Sequence, residues 1–350
     1  MRRSYSADNK LAKRNRIEVN TGDITVIGAG AWGTALAAVL ADAGNRVKLF
    51  ARDHAQAQAM QASGQNAKYL PGINLPSSLQ PISDWREVVD AKSSILIAVP
   101  FQQARQTLGS LRESGLEPSD VMWASKGIEQ VSHAMAHEIV AEELGSNVPF
   151  AIISGPNFAV EVARKLPAAI TVASHSDDFL SQVCDRFHTD YFRPYSSNDV
   201  IGVQVGGAVK NVVAIAAGIS DGLKLGANAR AALVTRGLAE IARWGTHLGG
   251  QLETFMGLSG LGDLVLTCTD DLSRNRRFGL SLAEGSSVDD AVNAVGLVEG
   301  AKTCLALAEV AAREAIEMPI TKQVARMVLG EISPQEAVST LMARELGAEH

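Results

Sequence analysis

The sequence predicts an α/β protein, a doubly wound, mostly parallel sheet followed by an all-α C-terminal domain. Three observations carry that prediction. Short apolar runs of strand length alternate with helical patterns from about residue 23 to 188. The first of these runs leads at once into a glycine-rich turn that opens a helix. Beyond Asp199 no further buried-strand run of that strength appears, and helical patterns dominate to the C-terminus. The expected division is a basic, disordered tail over 1–20, a sheet domain over 21–200 and a helical domain over 201–345.

Composition bounds the function classes. At 350 residues, with 46% hydrophobic and 5% aromatic content, the chain is long enough for two cores and suits a globular protein. Lysine and arginine total 32 against 38 acids, a net charge of −6, so no global basic field argues for nucleic acid or an anionic membrane. Any anion site must be local. Cys184, Cys268 and Cys304 lie far apart with no C-x-x-C pair, which fits free thiols in a reducing cytoplasm better than a disulfide frame or a zinc site. No apolar run is expected to reach the roughly 18 residues of a bilayer span. The first 20 residues hold six basic ones and few apolar ones, with no secretory core. Asp8 and Glu18 argue against an organelle transit peptide.

Taken in order, ITVIGAG from Ile24 reads as a strand buried on both faces. It runs into Gly28-Ala29-Gly30-Ala31-Trp32-Gly33 and then the helix TALAAVLADAG. Each glycine has its own reason: Gly28 permits a tight turn, Gly30 lets backbone N–H groups approach a pyrophosphate, and Gly33 lets the helix pack on the strand. The helix N-terminus then faces the anion. A dinucleotide-binding, Rossmann-type domain follows. The second strand, Arg46–Phe50, ends at Ala51-Arg52-Asp53, where an acid would hold the ribose of NAD and an arginine the 2′-phosphate of NADP. Arg52 tilts the reading toward NADP(H), while Asp53 keeps NAD(H) open.

A Gly/Pro-punctuated loop is expected over Gly64–Pro81, then a short helix at Asp84–Glu87 and a strand over 93–100. Further expected elements are helix 102–113, strand 121–127, helix 132–144, strand 150–156, helix 157–165, strand 168–174 and helix 178–188. At two strand ends, Lys126 and the turn Ser154-Gly155-Pro156 with Asn157 point to the nucleotide crevice; Asn157 could also serve as a helix cap.

The helical part opens with Gly202–Asp221, a nearly all-apolar stretch carrying Lys210 and Asn211 side by side. An amine in such a dry wall loses its proton more easily, which suits acid–base chemistry. Residues 202–262 contain 13 glycines, too many for ordinary helices unless backbones approach closely. The turn GLSGLGDLVLT would position Asp263. The run Ser273-Arg274-Asn275-Arg276-Arg277 reads as a solvated helix start or as a phosphate clamp. Val288–Glu345, helical and Ala-rich, reads as scaffold and partner surface. His133 and His137, spaced to share a helix face, lack the glutamate and third ligand of a zinc site, so no metal is expected.

Together GAGAWGTALA, SKGIE, SGPNFA, VGGAVKNVVAIAAGISDGLKLGANAR, GLSGLGDLVLTC, SRNRRFG and VEG resemble the bacterial NAD(P)-dependent glycerol-3-phosphate dehydrogenases, in order, over about residues 23–330. The resemblance implies reversible hydride transfer between sn-glycerol 3-phosphate and dihydroxyacetone phosphate, feeding phospholipid synthesis, in a cytoplasmic homodimer with a small phosphorylated substrate. It implies that Lys210 is the general acid/base. Lys126, Gly155 and Asn157 would contact substrate, Asp263 would orient Lys210, and Ser273, Arg274 and Asn275 would hold the phosphate end. Ala31, Trp32, Arg52, Lys126, Ala159, Arg274, Leu297 and Glu299 would touch the dinucleotide beside Gly28, Gly30 and Gly33. Family members often carry serine where this chain has Ala31. Lys126 and Arg274 are expected to depress the pKa of Lys210, with Asp263 opposing. Two alternatives stand beside this reading: another two-domain dehydrogenase of a β-hydroxyacid or sugar-acid phosphate, and a nucleotide-sensing module without turnover.

Overall fold

The computed structural model describes residues 23–88 and 93–343; the expected tail over 1–20 and residues 344–345 of the helical part lie outside them. One sheet is formed by β1 (Ile24–Ile27), β2 (Val47–Phe50), β3 (Leu79–Ile82), β4 (Ser94–Ile97), β5 (Asp120–Trp123), β6 (Phe150–Ser154), β7 (Ala168–Ala173) and β8 (Phe192–Ser197). The strand order is β3-β2-β1-β4-β5-β6-β7-β8. Every pairing is parallel except the antiparallel β6–β7. β1, β4 and β5 are buried along their whole length, which is why they read as unbroken apolar runs. The chain order reverses between β1 and β4, so a crevice opens beyond their carboxyl ends.

Six helices belong to this part: α1 (Ala31–Asp42), α2 (His54–Ser63), α3 (Phe101–Glu113), α4 (Ala136–Leu144), α5 (Ala159–Ala163) and α6 (Asp177–Phe187). Two strands depart from expectation. β3 begins inside the loop predicted over Gly64–Pro81, and β8 follows the predicted helix 178–188, where no strand was expected. They are the two edges of the sheet and carry Pro81 and Pro194. Proline interrupts a strand pattern, yet an edge tolerates it because one side of the strand needs no ladder N–H. The helix expected over 132–144 starts only at Ala136. His133 precedes it in a left-handed turn, φ 63°, so His133 and His137 do not share a helix face. Among the described residues no three His, Cys, Asp or Glu side chains gather as metal ligands.

The remaining helices are α7 (Val200–Gly222), α8 (Gly226–His247), α9 (Leu252–Phe255), α10 (Asp263–Thr269), α11 (Arg274–Ala283), α12 (Val288–Val295), α13 (Glu299–Arg313), α14 (Pro319–Val328) and α15 (Pro334–Met342). They wrap α7, which is buried at every residue from Gly202 to Ser220. The expectation that no apolar run is long enough for a bilayer is corrected here: α7 spans 23 residues with a window of mean hydropathy 1.6. That window is 94% buried inside the fold, so its apolar character serves the core of the helical layer.

Glycines bring α7 and α11 into backbone contact. A Cβ at Gly218 would lie 2.0 Å from the Arg276 carbonyl oxygen, and one at Gly279 2.1 Å from that of Ile215. Both approaches forbid any side chain. Gly218→Ala is expected to force the helices apart and lower stability by about 1–3 kcal/mol. Chemical denaturation would show this as a lower midpoint; an unchanged midpoint would contradict the packing argument.

Candidate active site

The glycine turn divides as the spacing predicts. Gly28 has φ +121°, and a Cβ there would meet the Ala98 carbonyl oxygen at 2.6 Å; one at Gly33 would meet the Gly28 oxygen at 1.9 Å. The fold needs both. Gly30 has ordinary φ (−77°) and nothing within 4 Å of its missing Cβ, so no packing explains it. It caps α1, whose first turn has neither a side-chain cap nor an acid. Free N–H groups and an open face at a helix N-terminus fit a pyrophosphate. Ala31 and Trp32, both half-buried, form that first turn. The turn is held by Asn66, from the loop expected over Gly64–Pro81, and by Gln56 of α2, which donate to the Ala29 carbonyl at 3.0 and 2.8 Å.

At the β2 end, exposed Arg52 lines a cleft with Phe50, Trp85, Gln103 and Thr107. Asp53 is committed elsewhere, since its Oδ1 accepts from the N–H groups of Ala55 (3.0 Å) and Gln56 (3.4 Å) to cap α2. A capping carboxylate is less available to a ribose diol than a free one.

Across the crevice stands an ion cluster built by three elements. Lys210 on α7 donates to Asp263 Oδ1 at 2.6 Å and to Thr267 Oγ1 at 2.7 Å. Lys126, past the end of β5, donates to Asp263 Oδ2 at 2.5 Å and to the Gly155 carbonyl at 3.2 Å. Asp263 is fully buried and Lys210 is 7% exposed. Two cations share one anion, so the cluster keeps net positive charge. Burial pulls the Lys210 ammonium down to about 8; Asp263 opposes this and the Lys126 charge assists it. Arg274, expected to add to the depression, acts elsewhere. Its charge is answered by Glu299, and although desolvation lowers its pKa, its surface is open to water and it stays a cation.

The other predicted residues take distinct places. Asn157 donates through Nδ2 to the Ala169 carbonyl at 2.8 Å and leaves the start of α5 to Phe158, which corrects the helix-cap reading; its Oδ1 is buried without a partner among the described residues. Ala159 begins α5, half-buried. Ser273 caps α11, its Oγ accepting from Arg276 N at 3.2 Å. Asn275 links two helices to α11: its Nδ2 donates to Asn211 Oδ1 at 2.9 Å and its Oδ1 accepts from Gly300 N at 3.0 Å. Glu299 accepts from Phe101 N at 3.3 Å, joining α13 to the start of α3, and burial pushes its carboxyl up to about 6. Leu297 just before it is exposed.

Sequence reasoning missed Thr267, one helical turn past Asp263 and so on the same face. It also grouped Arg276 with its neighbours. Arg276 is instead buried and ion-paired with Asp221 at 2.6 Å, tying α11 to the end of α7.

A glycine turn at the carboxyl edge of a parallel sheet and a dry lysine of lowered pKa are features that a nicotinamide-dependent dehydrogenase needs. The family models for the NAD-dependent glycerol-3-phosphate dehydrogenase N-terminus and C-terminus match residues 23–180 and 199–339. The chain belongs to that family. It is 50% identical over 323 residues to glycerol-3-phosphate dehydrogenase [NAD(P)+] of Thioalkalivibrio sulfidiphilus, covering 92% of this chain and 97% of that protein. The crystal structure of glycerol-3-phosphate dehydrogenase from Coxiella burnetii superposes with a TM-score of 0.88 at 45% identity, over 92% of this chain and 99% of that one. The Saccharomyces cerevisiae enzyme matches with a TM-score of 0.77 at 27% identity, over 91% and 99%.

Gly30→Ala is expected to leave stability unchanged, since the added methyl meets nothing, and to weaken dinucleotide binding about tenfold or more by obstructing the pyrophosphate. Thermal denaturation and nicotinamide fluorescence on the same variant separate the two effects. Wild-type affinity would contradict the assignment.

Proposed function

We propose that the chain catalyses reversible hydride transfer between sn-glycerol 3-phosphate and dihydroxyacetone phosphate, using NAD(H) or NADP(H). The observation that carries this is the buried Lys210, which shares Asp263 with Lys126, past the end of β5 in the same sheet that carries the glycine turn. Gly28, Gly30, Gly33, Ala31 and Trp32 would hold the pyrophosphate side. Arg52 would meet a 2′-phosphate, with Lys126, Ala159, Arg274, Leu297 and Glu299 completing the surround. When bound, the nicotinamide supplies or accepts the hydride at the secondary carbon.

The rest is done by side chains of this chain. In the reducing direction Lys210 donates its proton to the carbonyl oxygen as the C–H bond forms, leaving a neutral amine and an alcohol. In the oxidising direction the neutral amine takes the hydroxyl proton. Lys126 keeps positive charge beside the developing oxyanion, and Asp263 holds both amines in place. Arg274, Ser273 and Asn275 at the start of α11 would anchor the phosphate, and anchoring the far end orients the reacting carbon. Gly155 and Asn157 would contact the substrate from the β6 end, the unpartnered Asn157 Oδ1 offering an acceptor.

The division into a dinucleotide-binding domain over 21–200 and a helical catalytic domain over 201–345 is supported by separate family matches to residues 23–180 and 199–339. Family membership supports a supply of glycerol 3-phosphate to phospholipid synthesis. Three unpaired cysteines suit the cytoplasm. Exposed Leu252, Met256, Leu261 and Val265 on consecutive short turns support a homodimer, which sedimentation would test.

The deciding assay follows dihydroxyacetone phosphate reduction with NADH and NADPH side by side, with dihydroxyacetone as the unphosphorylated control. Turnover of the phosphate ester alone is expected. Equal turnover of the control would remove the phosphate anchor, and NADPH binding without turnover would favour a sensing module.

Because Lys210 titrates at about 8 and must carry a proton to reduce a ketone, reduction is expected to fall as pH rises through that value. Oxidation is expected to rise across the same window, since it needs the neutral amine. Profiles of kcat in both directions check this, and limbs running the same way would contradict it.

A further inference from the structure

Ser154 ends β6 and is 2% exposed, and its hydroxyl has no hydrogen-bond partner among the described residues. A buried hydroxyl left unmet is destabilising. The apolar residues before it, Ile152 and Ile153, are buried without any such group, so packing alone does not call for a serine. Ser154 lines a chamber of about 10 Å³ with Ser125, Lys126, Gln204 and Gly207, close to the room that one water takes.

Gly207, one turn before Lys210 on α7, is the gap on which two side chains converge. A Cβ at this position would lie 2.9 Å from Ser154 Oγ and 3.4 and 3.5 Å from Cγ and Cδ of Lys126. The next residue, Gly155, accepts from Lys126 Nζ at 3.2 Å. The stem of Lys126 and the Ser154 hydroxyl therefore both border the gap at Gly207, and the Lys126 ammonium reaches the β6 turn at Gly155.

We propose that Ser154 is a positioning residue for Lys126, acting with one water molecule held in this chamber, so that the Lys126 ammonium stays on Asp263. Ser125 and Gln204 also line the chamber; Ser125 Oγ, which donates to the Val99 carbonyl at 2.6 Å, keeps lone pairs for a water. The proposal rests on the acid role of Lys210 only for its kinetic readout. The titratable groups facing Lys210 are Asp263 and Cys268 from α10 and Lys126 from beyond β5. From the other helices on α7, Arg276 and Arg230 are committed to Asp221, while Arg274 and Glu299 answer each other. A Lys126 ammonium that drifts from Asp263 removes a nearby cation and frees the carboxylate for Lys210 alone. Both changes favour the proton on Lys210.

The test uses the full chain as wild type, Ser154→Ala, Gly207→Ala and the double variant, following the pH dependence of ketone reduction. Ser154→Ala is expected to fold with little change in melting temperature and to move the alkaline limb up by about half a unit or more. Gly207→Ala should move it the same way by displacing the same stem, and the double variant should shift less than the sum. A limb that stays in place in Ser154→Ala would overturn the proposal. High-resolution crystal structures give an independent arm: a water on Ser154 Oγ in the parent and a displaced Lys126 in Ser154→Ala are expected. An unmoved Lys126 overturns the inference by itself. A parent enzyme with no limb near 8 refutes the acid assignment of Lys210 instead, and leaves the crystallographic arm to decide on Ser154.

Discussion

One buried carboxylate holds two ammonium groups, and the arrangement of the crevice depends on it. Asp263 gives one oxygen to Lys210 and the other to Lys126, so α7, α10 and the end of β5 meet at a single side chain. Charges this deep are costly to desolvate and persist only when paired with good geometry. Here the pairing is short of neutral: burial pulls Lys210 down to about 8, Asp263 opposes that pull, and the Lys126 charge assists it. A fully matched pair would have held the proton too tightly for exchange near neutral pH.

The small residues of α7 act as spacers, each facing a different element of the site. Gly206 admits the Ser259 carbonyl, to which its Cβ would come within 2.4 Å, and so brings in the tight turn over Leu258–Gly262 that delivers Asp263. Gly207 admits Ser154 and the Lys126 stem, and Gly218 admits the backbone of α11, which carries Arg274. Backbone contacts of this kind leave little room for adjustment, which suits a reaction sensitive to the placement of a few atoms.

Much of this was legible in the chain itself, and the reasons are physical. β1, the glycine turn and α1 announce themselves because a doubly buried strand is apolar throughout and a phosphate-binding turn needs glycine at fixed positions. Lys210 stood out as a cation on an otherwise apolar, small-residue helix. The edge strands β3 and β8 were hidden because Pro81 and Pro194 break a strand pattern that only three-dimensional neighbours justify. Arg274 and Arg276 look alike in sequence, yet one is exposed at the crevice and the other is bound to Asp221. Only the helix contacts separate them. Thr267 lay one turn from Asp263, and Ser154 one residue from a recognised turn, but a hydroxyl carries no pattern of its own until its surroundings are known.

The shared carboxylate holds the crevice together, and Asp263→Asn tests its role most directly. An amide of the same shape leaves two ammonium groups facing each other without the anion that offsets burial. The variant should bind NADPH with nearly parental affinity, reduce dihydroxyacetone phosphate about a hundredfold more slowly or worse, and show the alkaline limb of kcat moved well below about 8. A limb left in place, with kcat close to that of the parent, would contradict the central role given to Asp263.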